Sequence, residues 1–136
     1  MKVTVSRKAH FNAAHRFYIN VWSYEKNDEV FGKCNNPNFH GHNYELILSV
    51  TGDIDQQTGY VIDMKVLKDI IKEEVEDAFD HKNLNIEVPE FKDLNPTAEN
   101  IVVVIYNKIK PRLKASFDLE ITLYETPRNF VTYSGN

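Results

Sequence analysis

Hydrophobic and polar positions alternate from the start of the chain. Val3, Val5, Phe11, Ala13, His15 and Phe17 share one parity, which predicts a long half-buried strand over residues 2–17. Trp22 to Gly32 is polar and charged and predicts a loop or mobile flap. Alternation returns at His40, with His42, Tyr44, Leu46, Leu48 and Val50 on the same face, before turn signals at Gly52-Asp53 and Thr58-Gly59. The period changes at Asp63, a good helix N-cap. Leu67, Ile70, Ile71, Val75 and Ala78 follow helical spacing, with Lys, Glu and Asp opposite. Asn95-Pro96-Thr97 opens a second helix carrying Ile101, Val102, Ile105 and Ile109, and Pro111 marks its end. Leu119, Ile121 and Leu123 alternate in a third strand, Pro127-Arg128-Asn129 turns, and Phe130 to Tyr133 returns as a fourth. The order ββααββ predicts an α+β fold, a four-stranded antiparallel sheet with two helices on one face.

A chain of 136 residues suits a single domain, 1–136, with a real core. A net charge of -4 gives no electrostatic reason to expect nucleic acid or an anionic membrane as partner. Phosphorylated small molecules need only a few local Lys and Arg. No apolar run reaches membrane-spanning length, and Met1-Lys2-Val3-Thr4-Val5 lacks the apolar core of a signal peptide. The only cysteine, Cys34, has no intrachain partner, so the chain reads as cytoplasmic.

The candidate chemistry centres on Cys34-Asn35-Asn36-Pro37-Asn38-Phe39-His40-Gly41-His42. Two histidines at i and i+2 on a strand point to one side, with Cα atoms roughly 7 Å apart at about 3.3 Å per residue. His15 lies on the matching face of the first strand. If those strands pair, three neutral imidazoles converge and leave one position open, the pattern of catalytic zinc. Iron, cobalt or nickel could use the same ligands, with zinc the default. Cys34 follows Gly32-Lys33 in a polar turn, a setting that favours a reactive thiolate over an inert buried thiol. Asp80-His81 reads either as a helix C-cap, where His suits the dipole, or as an acid–base dyad. Glu125 extends the apolar face of Leu119, Ile121 and Leu123. It lies past the sheet rim in solvent, or it accepts hydrogen bonds from a ligand's N–H groups. Thr97 and Glu99 read as helix-start residues. His10, on the opposite parity from His15, has no assigned role.

These residues resemble the 6-pyruvoyl-tetrahydropterin synthase family nearly end to end. The resemblance rests on Phe31-Gly32-Lys33 running into Cys34–Tyr44, and on Phe11-x-Ala13-x-His15-Arg16. It continues through Gly52-x-Ile54-Asp55, Thr58-Gly59, Asp80-His81-Lys82-Asn83-Leu84, Thr97-x-Glu99-Asn100 and Tyr124-Glu125-Thr126. It implies zinc on His15, His40 and His42, Cys34 as general base, and Asp80 with His81 completing a proton relay. Glu125 is implied to anchor the amino-pyrimidine edge of a pterin, with Thr97 and Glu99 as further substrate contacts. The implied substrate is 7,8-dihydroneopterin triphosphate, for which Arg16, Lys33 and Lys82 are candidate triphosphate contacts or plain solvated surface. The implied fold is the tunnelling fold, in which three copies close a β-barrel and two barrels stack as a homohexamer. There the sites lie between subunits, with Cys34 and the Asp80-His81 pair expected from different chains.

Phe39 departs from animal-type members, which generally carry Gly before His-Gly-His, and sets a bulky ring beside a metal ligand. The nearest rival activity is 6-carboxy-tetrahydropterin synthase of queuosine biosynthesis, which releases acetaldehyde as well as triphosphate. Its cysteine typically stands three residues from His-Gly-His, against the five from Asn35 to Phe39 here, so the spacing favours the pyruvoyl enzyme. A non-catalytic zinc-stabilised binding protein would need neither thiol nor dyad. A 2-His-1-carboxylate iron oxygenase lacks a carboxylate at a convincing spacing.

Overall fold

The computed structural model describes residues 1–136. Its elements in chain order are β1 (Lys2–His15), α1 (Tyr24–Phe31), β2 (His40–Asp53), α2 (Met64–Ile71), α3 (Asp77–Phe79), β3 (Lys82–Asn83), α4 (Leu84–Glu87), α5 (Ala98–Ile109), β4 (Asp118–Tyr124) and β5 (Phe130–Tyr133). A π-helical turn, Lys72–Glu76, joins α2 to α3 in one continuous rod.

The alternation of the sequence becomes one sheet in the order β3-β1-β2-β4-β5. Long β1 and β2 pair antiparallel from Lys2↔Asp53 to His15↔His40, and β4 and β5 follow antiparallel. The sheet has five strands rather than the expected four. The addition is the two-residue β3, parallel to β1 through Ala13↔Lys82 and Ala14↔Asn83. A pairing so short and so distant in sequence leaves no periodic signal.

The apolar parities meet the helices. Phe11, Tyr44, Leu46, Leu48, Val50, Ile121 and Leu123 are buried against Leu67, Ile71, Val75, Phe79, Ile101 and Ile105 in one core cluster. The opposite face is polar, with hydroxyl pairs Thr4–Thr51 at 2.6 Å and Ser6–Ser49 at 2.7 Å. Asp63 caps α2 by accepting from the Lys65 N–H at 2.9 Å, and Thr97 caps α5 by accepting from the Asn100 N–H at 3.2 Å.

The segment Trp22–Gly32, expected as a loop or flap, is mostly helix α1. Ser23 caps it, accepting from the Lys26 N–H at 3.1 Å. Buried Asn27 does the work that apolar periodicity does elsewhere. Its Oδ1 accepts from the Ile19 N–H at 2.7 Å, and its Nδ2 donates to the Ile19 and Ser23 carbonyls, both at 3.0 Å. Trp22 stacks on Phe31 with ring centroids 5.9 Å apart.

Gly52 sits where β2 passes under the Phe117 ring, and a Cβ there would stand 2.6 Å from Cδ1 and 2.7 Å from Cε1. Because that ring is buried, Gly52→Ala should cost about 1–3 kcal/mol by overpacking. Urea denaturation reads this directly. An unchanged midpoint would mean the ring yields freely.

Candidate metal centre and adjoining hollow

The β1–β2 register carries three histidines to one end of the sheet, with His15 opposite His40 and Ala13 opposite His42. Ring centroids lie 4.6 Å apart for His15–His40, 5.0 Å for His15–His42 and 5.1 Å for His40–His42. One nitrogen from each falls within 4.8 Å of the others.

His15 is 0% exposed. Its Nδ1 lies 2.8 Å from the Pro96 carbonyl and 3.1 Å from Tyr44 Oη. A carbonyl only accepts, so Nδ1 carries the proton and Nε2 keeps its lone pair. That Nε2 is buried without a hydrogen-bond partner, an arrangement a ligated metal ion explains. Burial pushes the His15 imidazole down to about 4, against the Pro96 hydrogen bond, with the His40 and His42 rings adding to the depression. Burial likewise lowers His40, with His42 adding and Glu125 opposing, and burial lowers His42. Three neutral imidazoles can bind a cation without first releasing protons. The donor set therefore fits a metal.

Beside them opens a hollow of about 680 Å³ whose lining includes Cys34, Thr97, Glu99, Glu125 and Arg128. Cys34 stands on the 3₁₀ turn Gly32–Asn35, where its carbonyl accepts from the Phe17 N–H at 2.7 Å. Glu125 Oε1 lies 3.9 Å from His42 Nε2, so this carboxylate turns inward rather than out to solvent. Burial raises its pKa, with Glu99 adding and His40 opposing. Thr97 and Glu99 start α5, as expected, and also face the hollow.

Asp80 and His81 lie elsewhere on the chain. Asp80 ends α3, so the C-cap reading holds for it, and its Oδ2 also meets His81 Nδ1 at 2.9 Å. Its Oδ1 accepts from the Asn12 N–H at 2.8 Å. That hydrogen bond, with help from His81 and against desolvation, holds the carboxyl below the usual range. The His81 N–H donates to the Asn12 carbonyl at 2.6 Å. His81 itself sits at φ +60°, in the left-handed region that side chains avoid. The pair lines a separate hollow of about 420 Å³ with His10, Asn12, Asn43 and Glu45, and shares no lining residue with the Cys34 hollow.

The phosphate candidates are dispersed. Arg16 donates from Nη2 to the Asn35 carbonyl at 2.9 Å and to Asn35 Oδ1 at 2.7 Å. Lys33 is exposed on the 3₁₀ turn, and Lys82 is on β3. None of the three lines the Cys34 hollow. Phe39 adopts φ +66°, where glycine meets no steric cost. It lines a different hollow, with Arg16 and Tyr18, and is not among the residues lining the Cys34 hollow. Sequence reasoning missed two supports of His15. The Tyr44 parity beside His40 and His42 was a usable signal; the Pro96 carbonyl offered none.

The family model described as 6-pyruvoyl tetrahydropterin synthase matches residues 4–136. The chain belongs to this family. This family member is 43% identical over 131 residues to the 6-pyruvoyl tetrahydrobiopterin synthase of Homo sapiens, covering 96% of this chain and 90% of the relative. It is 30% identical over 147 residues to the 6-carboxy-5,6,7,8-tetrahydropterin synthase of Rickettsia conorii, covering 95% and 98%. The solved structure of Caenorhabditis elegans 6-pyruvoyl tetrahydropterin synthase matches this synthase-family chain with a TM-score of 0.94 at 37% identity, covering 100% and 97%.

Stripped of metal, the protein should lose stability as pH falls from 6.5 towards 4. The unfolded chain takes up a proton at His15 that the folded chain refuses, so acid favours unfolding. The shift from 6.5 to about 4 corresponds to about 3 kcal/mol, and the lowered His40 and His42 act in the same sense. Urea unfolding of the chelator-treated protein at pH 7 and pH 4.5 tests this, and equal midpoints would refute it.

Proposed function

We propose that this chain, as a single 1–136 domain, is a cytoplasmic zinc-dependent lyase. It converts 7,8-dihydroneopterin triphosphate to 6-pyruvoyl-tetrahydropterin with loss of triphosphate. The observation that carries the reading is the convergence of three neutral imidazoles, one with an orphaned buried nitrogen, beside a hollow holding both a thiol and an inward carboxylate. No helix is long and apolar enough to cross a membrane.

His15, His40 and His42 would hold the zinc, which supplies Lewis acidity towards the hydroxyls of the substrate side chain when bound. Glu125 accepts hydrogen bonds from the amino-pyrimidine edge of the pterin, and Thr97 and Glu99 border the same space. Cys34, as thiolate, moves protons between carbon and oxygen of the side chain. Asp80 holds His81 by Nδ1, leaving Nε2 to exchange a proton on the far side of the substrate. Loss of triphosphate and internal redistribution of electrons then give the product without a nicotinamide cofactor.

Because Cys34 and His81 line separate hollows, both can act on one substrate only when a second copy supplies the dyad. This supports a homo-oligomer with sites between subunits, and the family resemblance implies a hexamer built from two trimeric barrels.

Mass analysis of the products from dihydroneopterin triphosphate and the zinc-loaded protein tests the reading. A 6-pyruvoyl product without acetaldehyde is expected. A 6-carboxy product with acetaldehyde would move the enzyme to the sister activity, in line with its 30% identity to the Rickettsia conorii relative. Cys34→Ala should retain zinc and lose turnover by about 10²–10⁴-fold, the scale of a positioned proton-transfer group. Full activity in that variant would remove Cys34 from the chemistry.

A further inference from the structure

Arg128 is the one cationic side chain lining the Cys34 hollow, which otherwise carries the carboxylates Glu99 and Glu125. Sequence reasoning saw only a turn residue there. Its backbone is tightly held, since the Arg128 and Asn129 N–H groups donate to Thr126 Oγ1 at 3.3 and 3.1 Å. The Glu125 N–H donates to the Asn129 carbonyl at 3.0 Å, fixing the turn against the proposed pterin anchor. The side chain, by contrast, is exposed, and its guanidinium forms no ion pair within the chain, even with two glutamates on the same lining.

The proposed substrate is a pterin at one end and a triphosphate at the other. Half-buried Glu125 suits the ring. The triphosphate carries several negative charges, and burying them beside Glu99 and Glu125 would be strongly unfavourable. It must therefore leave through the mouth, where the lining is exposed at Val30, Arg128, Asn129 and Phe130. The mouth offers a single planar fork of N–H donors, the geometry that suits phosphate oxygens. Resting on the proposed substrate, we infer that Arg128 receives the triphosphate and selects for the phosphorylated pterin over the free one.

The test compares wild type, Arg128→Ala and Arg128→Lys, each zinc-loaded and matched for metal content and thermal midpoint. Calorimetric titration with inorganic triphosphate should show binding about tenfold weaker in Arg128→Ala, the scale of one charge-assisted contact. Arg128→Lys should recover part of it, keeping the charge but losing the fork. Added salt should narrow the difference, and phosphate-free neopterin should bind all three alike. In turnover the loss should appear in KM rather than kcat. Equal triphosphate affinity in the three proteins, or a matching loss of neopterin binding, would overturn the role. Failure of wild type to turn over dihydroneopterin triphosphate would sink the proposed reaction instead, and the binding comparison would still decide on Arg128.

Discussion

The pairing of β1 with β2 is the constraint on which the rest depends. No tight hairpin sets its register, because residues 16–39, including α1, intervene between the strands. The core face sets it instead. Phe11 stacks on Tyr44 with centroids 4.8 Å apart, Ala9 opposes Leu46, and Val5 opposes Val50. A slip of one residue would turn each of these outward and expose them together. Because the same parity carries His15, His40 and His42, the packing that selects the register also assembles the imidazole cluster. The candidate ligand set is the last layer of the core.

This continuity explains the electrostatics. An imidazole at the end of a buried strand face is desolvated, and desolvation keeps it neutral. The polar supports are drawn from elements that the fold needs anyway. Tyr44 has its ring in the core and its hydroxyl on His15. The Pro96 carbonyl comes from the start of α5, where Thr97 caps the helix and Asn100 Nδ2 donates to the Asn95 carbonyl at 2.8 Å. Helix capping therefore aims the carbonyl that selects the His15 tautomer.

What the sequence made legible follows from how local each signal is. Strand parity and helical spacing are local, so β1, β2, α2, α5 and β4 read well, and so did the three histidines, which inherit that parity. Helix α1 escaped because buried Asn27 and the Trp22–Phe31 stack hold it instead of an apolar stripe. The β3 pairing escaped because two residues have no period. Arg16 looked like a free cation, yet its guanidinium is occupied by Asn35, nineteen positions away. Conversely Arg128, which looked like turn filler, is the cation of the hollow. Side-chain partnership across folded segments decides both, and periodicity carries no record of it.

His81 shows why one chain is an incomplete catalyst on the proposed reading. Its side chain is 84% exposed on a left-handed backbone that costs free energy and needs outside support. Asn12 gives that support from β1, its N–H on Asp80 and its carbonyl on the His81 N–H. Such rigidity has no use in bulk water, where an exposed imidazole could rotate freely. It makes sense for a group presented to a surface that must meet it in one orientation. The strand that buries His15 at its end thus holds Asp80 and His81 outward three residues earlier, on the opposite parity. On this reading, β1 serves two sites at once, contributing a metal ligand to its own hollow and a fixed acid–base pair to a neighbour's.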